Sequence, residues 1–241
     1  MSTVPDRQLL SRRRARRPGA AAAAVAPEPI PAPAGARWTS LVTLGIVIAV
    51  LVAIGLGMQW ALAPAPAKGL ARCHPATVIG PRQYAGPPAM CIDKTKTYIA
   101  HVQTTQGVFD VAMPAADAPA TVNNFVVLAI AGYYNGLRFF RTEDWVIQTG
   151  SPNNDGTGGP GYTLAPEQAQ NAGWDPGAVG MARFGDGTIS GGQFFIVRGS
   201  WPGDGPGNTV FNHFGTVLGG NQILSTLTSS DRVIGIGVSV Q

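Results

Sequence analysis

TYIAHVQTTQGVFDVAMPAADAPATVNNFVVLAIAGYYNG, residues 97–136, carries the reading of the fold. Two alternating runs of β-branched and aromatic residues, Thr97–Val102 and Val108–Met113, flank a Gln106-Gly107 turn, which predicts a hairpin. The pattern then changes period. Val122, Phe125, Val126 and Ala129 fall on one face at helical spacing. Asp117 or Ala118 opens this predicted helix, Pro119 suits its first turn and Gly132 closes it. Downstream lie short β-prone runs between Gly, Pro, Asn and Asp, among them GQFFIV (192–197), TVFNHFGTV (209–217) and VIGIGVSV (233–240). A hairpin, one helix and many short strands predict a mainly β barrel or sandwich.

Upstream the composition shifts twice. The 241 residues carry a net charge of +4, but residues 1–40 hold seven arginines against Asp6 and Glu28, and the rest has 10 basic and 11 acidic side chains. The basic character belongs to a tail, residues 1–37, which is Arg-, Ala- and Pro-rich and reads as disordered. No charge follows between Arg37 and Lys68. Within that interval Leu41–Trp60 is long and apolar enough to cross a bilayer as a helix. Trp38 and Trp60 sit at its ends, and the arginines precede it, which orients the N-terminus to the cytoplasm and the C-terminal domain outward. A cleaved signal peptide ending at Ala61-Leu62-Ala63 is the rival reading; the long leader and long apolar run oppose it. A membrane partner for the segment leaves the arginines an orientation signal, so nucleic acid is not an expected partner.

The expected order is therefore a cytoplasmic tail (1–37), a transmembrane helix (38–63), an extracytoplasmic linker (64–95) and a folded domain (96–241). Cys73 and Cys91 fall in the linker on the oxidising side, where an even count favours a disulfide over two free thiols. Cys73-His74 lacks two further ligands at zinc spacing.

Nucleophilic chemistry finds little support. Ser190 is not in a G-x-S-x-G setting, and Glu143-Asp144 reads as a solvated turn. The runs GTGGPGY (156–162) and GDGTISGGQ (185–193) lack the Lys-Ser/Thr of a phosphate-binding loop. What remains is FFRTEDWVIQTG (139–150): Arg141 and Gln148 within an aromatic and aliphatic segment. That set suits rotation about an X–Pro bond, which needs no proton transfer to a nucleophile. The bond's resonance barrier is about 18–20 kcal/mol. A dry pocket for the proline ring and a permanently charged donor for the prolyl nitrogen suffice to lower it.

From about Thr97 to Gln241 the chain resembles the cyclophilin-type peptidyl-prolyl isomerases. TVNNFVVLAIAGYYNGLRFFR (121–141) resembles the family's first helix and its F-H-R strand, and WVIQTGSP resembles F-x-x-Q-G-G-D. GPGY (159–162) resembles the loop that follows, GAVGMAR (177–183) resembles L-S-M-A-N, SGGQFFIV (190–197) resembles G-S-Q-F-F-I and TVFNHFGTV resembles T-V-F-G-x-V. The resemblance implies a closed eight-stranded antiparallel barrel with two helices and no metal or organic cofactor. It places Arg141 on the catalytic arginine and Gln148 on the glutamine that supports it. It places Trp145 and Val146 on the pocket wall, Phe195 on its floor and Gln193 on the second glutamine. Met181, Ala182 and Arg183 fall on the peptide-binding Met-Ala-Asn segment.

Departures are local. Phe140 stands for the family's histidine, and Arg183 for an asparagine. After Phe195 the interval RGSWPGDGPGN replaces the usual Trp-Leu wall. Trp201 fills that wall by a loop shift, and Asn208 falls at the following His/Tyr position. Expected partners are Pro-containing segments of unfolded or exported proteins, the bilayer through Leu41 to Trp60, and cyclosporin with weakened binding. The expected function is assistance to the folding of exported or envelope proteins; the alternative is a catalytically weak module that holds Pro-containing peptides at the membrane surface.

Overall fold

The computed structural model describes residues 69–167, 173–202 and 211–241. The expected tail, the Leu41–Trp60 membrane segment and Asn208 lie outside the described residues. Among those described, no helix is long and apolar enough to cross a membrane.

The hairpin forms as β3 (Thr97–Thr104) and β4 (Gly107–Pro114), after a small ribbon of β1 (Val78–Gly80) and β2 (Gln83–Tyr84). Its turn closes at Gly107, whose φ of +138° a side chain would rarely adopt. Helix α1 (Pro119–Ile130) follows. Then come β5 (Arg141–Glu143), β6 (Val146–Thr149), β7 (Thr163–Leu164), β8 (Ala178–Arg183), β9 (Ile189–Val197), β10 (His213–Gly219), helix α2 (Asn221–Thr226) and β11 (Val233–Val240). Eight strands run in the order β11-β3-β4-β10-β8-β9-β6-β5, with β7 also on β9. All described pairings are antiparallel.

The sheet curls. Just before β5 the chain returns to the start of β11, where Arg138 bridges Arg232 and Gly136 N donates to Val233 O at 2.7 Å. The mainly β expectation therefore holds, as a curled sheet with two helices.

Helix α1 packs into the main core against β9 and β10. Thr121 through Ala129 are all buried, so both of its faces need partners. Phe125 is the hub, with ring centroids of Tyr134, Phe194 and Phe214 at 5.2, 5.3 and 5.1 Å. The helix N-terminus has no side-chain cap of its own. Glu167 supplies it from afar: its carboxylate accepts from Ala120 N at 3.0 Å and Thr121 N at 2.7 Å. Those are orphan donors at the positive end of the helix dipole.

The other face of α1 meets the segment expected to be a linker. Leu70, Cys73, Tyr84, Cys91 and Ile92 are buried and belong to the main core. Cys73 and Cys91 are disulfide-bonded, with Cα atoms 5.3 Å apart. Asn123 of α1 accepts from Cys91 N at 2.9 Å. The packed unit thus begins well before Lys96.

Candidate active site

The site is built from sheet register. Arg141 on β5 pairs with Gln148 on β6, Gln148 with Phe195 on β9, Phe195 with Gly180 on β8, and Gly180 with His213 on β10. Directly opposed residues in an antiparallel sheet project to one face. Five neighbouring strands therefore present a cation, an amide, an aromatic ring, a glycine and an imidazole in a single row. The next row sets Val146 between Glu143 and Val197.

Above this face lies an apolar cluster separate from the main core. Val146, Ala178, Ala182, Phe195 and Val197 are buried in it, with Trp145, Trp174, Trp201 and Phe211 packed against them. Trp201 lies 5.1 Å from Trp145, edge to face, and stacks on Trp174 at 5.0 Å. Trp174 also lies 5.2 Å from Phe195 and 5.2 Å from His213. Gly180 permits this: a Cβ there would meet Trp174 Cη2 at 2.6 Å and Phe195 Cζ at 2.8 Å. Trp201 Nε1 is buried without a hydrogen-bond partner among the described residues, a donor facing no acceptor.

The polar groups divide by burial. Gln148 and Gln193 are buried, and Gln148 Nε2 donates to Gln193 Oε1 at 3.2 Å. Gln193 Nε2 in turn donates to Gly156 O at 2.9 Å and Gly158 O at 2.8 Å, fixing the loop beside the groove. Arg141 is partly exposed, and its Nε donates to Glu143 Oε1 at 2.6 Å. The hydrogen bonds from Arg141 hold the Glu143 carboxyl below the usual range; desolvation opposes them, and the Arg141 charge and the bond from Trp145 add lesser lowering. Burial pushes the His213 imidazole down, with Asp117 opposing, so at neutral pH it stands beside Trp174 uncharged.

Of the residues singled out in the sequence, Arg141, Gln148, Trp145, Val146, Gln193, Phe195, Ala182 and Trp201 converge on this face. Arg183 ends β8 at a register shift, half-buried. Met181 does not join them. The pleat turns it to the opposite side of β8, where it is fully buried in the main core. Trp174, Phe211 and His213 join the site without having been singled out. Trp174 precedes β8 and Phe211 precedes β10, and nothing periodic in either segment marks an inward ring. Among the described residues no three His, Cys, Asp or Glu side chains gather to hold a metal ion. Phe195 is buried, with Trp174, Trp201 and Phe211 packed over it, so the arrangement is an aromatic cluster with one cationic donor at its edge.

The family model described as cyclophilin type peptidyl-prolyl cis-trans isomerase/CLD matches residues 99–234. A Helicobacter pylori peptidyl-prolyl cis-trans isomerase is 37% identical over 140 residues, covering 57% of this chain and 85% of the relative. Peptidyl-prolyl cis-trans isomerase B of Bacillus subtilis is 41% identical over 116 residues, covering 47% and 78%. Among solved structures, a Cryptosporidium parvum cyclophilin type peptidyl-prolyl cis-trans isomerase superposes with TM-score 0.53 at 25% identity, covering 59% of this chain and 98% of that one. The same protein in the presence of the dipeptide Ala-Pro gives TM-score 0.50. By fold, site row and sequence the chain belongs to the cyclophilin-type peptidyl-prolyl cis-trans isomerases.

Proposed function

We propose that this isomerase is membrane-anchored and acts on Pro-containing segments of exported or envelope proteins, with Arg141 donating to the prolyl nitrogen. The row Arg141–Gln148–Phe195 carries the reading. A proline ring that reaches Phe195 by displacing the Trp174 ring, walled by Val146, Trp145 and Trp201, brings its amide nitrogen toward the guanidinium. As the C–N bond twists, that nitrogen becomes pyramidal and gains a lone pair. A charge-assisted hydrogen bond to it exists only in the twisted state, so it lowers the barrier rather than merely tightening binding. Gln148 holds the substrate backbone, with Gln193 behind it. Backbone groups at Ala182 and Arg183 pair with the peptide flanking the proline.

Pro-containing peptides are the substrate class in this reading, supported by the likeness to a relative crystallised in the presence of Ala-Pro. Leu41–Trp60 anchors the chain, with the folded unit outside, where uncatalysed X–Pro exchange takes tens of seconds. The curled sheet is read as a closed eight-stranded barrel whose seam is the Arg138–Arg232 bridge. Trp201 at the wall leaves cyclosporin a place, weakened by the altered interval after it.

The test is cis–trans exchange of an Ala-Pro peptide by NMR with the full chain in detergent micelles. Arg141→Ala is expected to cut the acceleration by about tenfold or more at unchanged circular dichroism. A fully active variant removes the assigned role. Protease protection in spheroplasts checks the topology: cleavage of the folded unit from outside is expected, and its protection overturns the export claim.

A further inference from the structure

The alternation of β5 sends Arg141 and Glu143 to one side of the strand. Trp145 follows beyond the turn, and the three side chains close a ring. Glu143 accepts from Arg141 Nε at 2.6 Å, from Arg141 Nη2 at 3.2 Å and from Trp145 Nε1 at 2.9 Å. The guanidinium carbon also lies 5.0 Å from the centroid of the same Trp145 ring. One edge of the guanidinium is forked by a carboxylate and one face rests on an aromatic quadrupole. The backbone beneath is tied down as well. Arg198 Nε donates to Glu143 O at 2.8 Å, and Arg198 N donates to Trp145 O at 2.9 Å.

This arrangement has a chemical consequence. A guanidinium offers five N–H donors in a rigid fork. The carboxylate takes the Nε edge and one donor of Nη2, so the Nη1 side is the one left for another acceptor. A half-exposed arginine without the clamp would sample many rotamers, and each encounter with a twisting amide would have to select one. Trp145 is also a wall of the pocket, so the same carboxylate that orients the donor sets its distance from the ring it must serve.

We propose that Glu143 is a positioning residue for isomerisation: it locks the Arg141 guanidinium against Trp145 so that the Nη1 edge meets the prolyl nitrogen in one orientation. The proposal rests on Arg141 being the donor. Exposed ion pairs stabilise folds little, so the effect belongs in turnover and not in the melting temperature.

The test uses the full chain in micelles and an Ala-Pro peptide, with Glu143→Ala, Glu143→Gln and Arg141→Ala compared. Glu143→Ala is expected to lower kcat about tenfold with KM changed less than about twofold. Glu143→Gln, whose amide oxygen still accepts, falls between. Separately, nitrogen-resolved NMR of the arginine side chains reads the clamp without any turnover. The Arg141 Nη signals should be distinct in the wild type and merged in Glu143→Ala. Unchanged or raised kcat in Glu143→Ala, beside a loss in Arg141→Ala, overturns the positioning role while leaving the donor in place. Full activity in Arg141→Ala overturns both. Merged signals in the wild type overturn the clamp itself.

Discussion

Gly180 is the smallest residue at the most crowded point of the site. The Trp174 and Phe195 rings approach it so closely that any Cβ would displace one of them. Gly180→Ala is therefore expected to push Trp174 off the floor, at about 1–3 kcal/mol of overpacking. Tryptophan fluorescence should shift to the red and the denaturation midpoint should fall; unchanged emission would mean that the ring does not lie there. Trp174→Ala tests the same contact from the other side, with a loss of peptide affinity expected if the ring serves as pocket wall. Arg141, Gln148 and Phe195 stood out in the sequence because the motifs around them resemble those of a known family. Trp174 and Phe211 were not, because their role comes from contacts between distant segments that share no period. Met181 shows the limit of carrying a motif whole: the segment matched, but strand alternation sends its methionine inward and Ala182 outward.

The hairpin and α1 were the most legible elements, since a clean period of two gives way to one of helical spacing within one stretch. Even there the caps came from elsewhere. Glu167, on the chain between β7 and β8, satisfies two N–H groups at the start of α1, and buried Asn212 holds it by accepting from Glu167 N at 2.7 Å. No local pattern announces a cap so remote. Glu167→Ala should cost about 1 kcal/mol by analogy with lost N-caps, read from chemical denaturation; no change would show that water replaces it freely. Asp231 makes a second tie between elements. It accepts from Thr105, Gln106 and Thr228, joining the β3–β4 turn to the start of β11. Burial would raise its carboxyl, but those bonds bring it down to about 2. A depressed acid contributes stability above its ordinary value and loses it as pH falls through the native one. Stability should therefore decline from about pH 4 toward pH 2, and Asp231→Asn should flatten that limb of the profile. An identical acid limb in the variant would assign the loss to other carboxylates.

Across the whole described unit, the segment before β3 does more than connect. The sequence made it a linker because prolines and short polar runs hide any period, yet Leu70, Cys73, Tyr84, Cys91 and Ile92 are buried in the main core while Val78, Ile79 and Met90 stay exposed. It also reaches the site. Tyr84 N donates to Pro160 O at 2.8 Å and Gln83 Nε2 to Gly159 O at 2.6 Å. Gln193 holds the same loop from the other side through Gly156 and Gly158. A continuous set of bonds thus runs from the β1–β2 ribbon to the glutamine beside Gln148. The disulfide closes this ribbon, and by loop entropy it contributes about 3 kcal/mol. Cys73→Ser with Cys91→Ser should lose that much stability in urea. The loop at Gly159 and Pro160 then loosens, so KM for the peptide rises while kcat, set by Arg141 on β5, holds. A fall in kcat with KM constant would place the ribbon's influence on the donor instead of the loop. An unchanged denaturation midpoint would make the bridge dispensable, and the ribbon would then be held by Asn123, its buried side chains and its hydrogen bonds, those of Arg82 to Tyr133 O and Asn135 O among them.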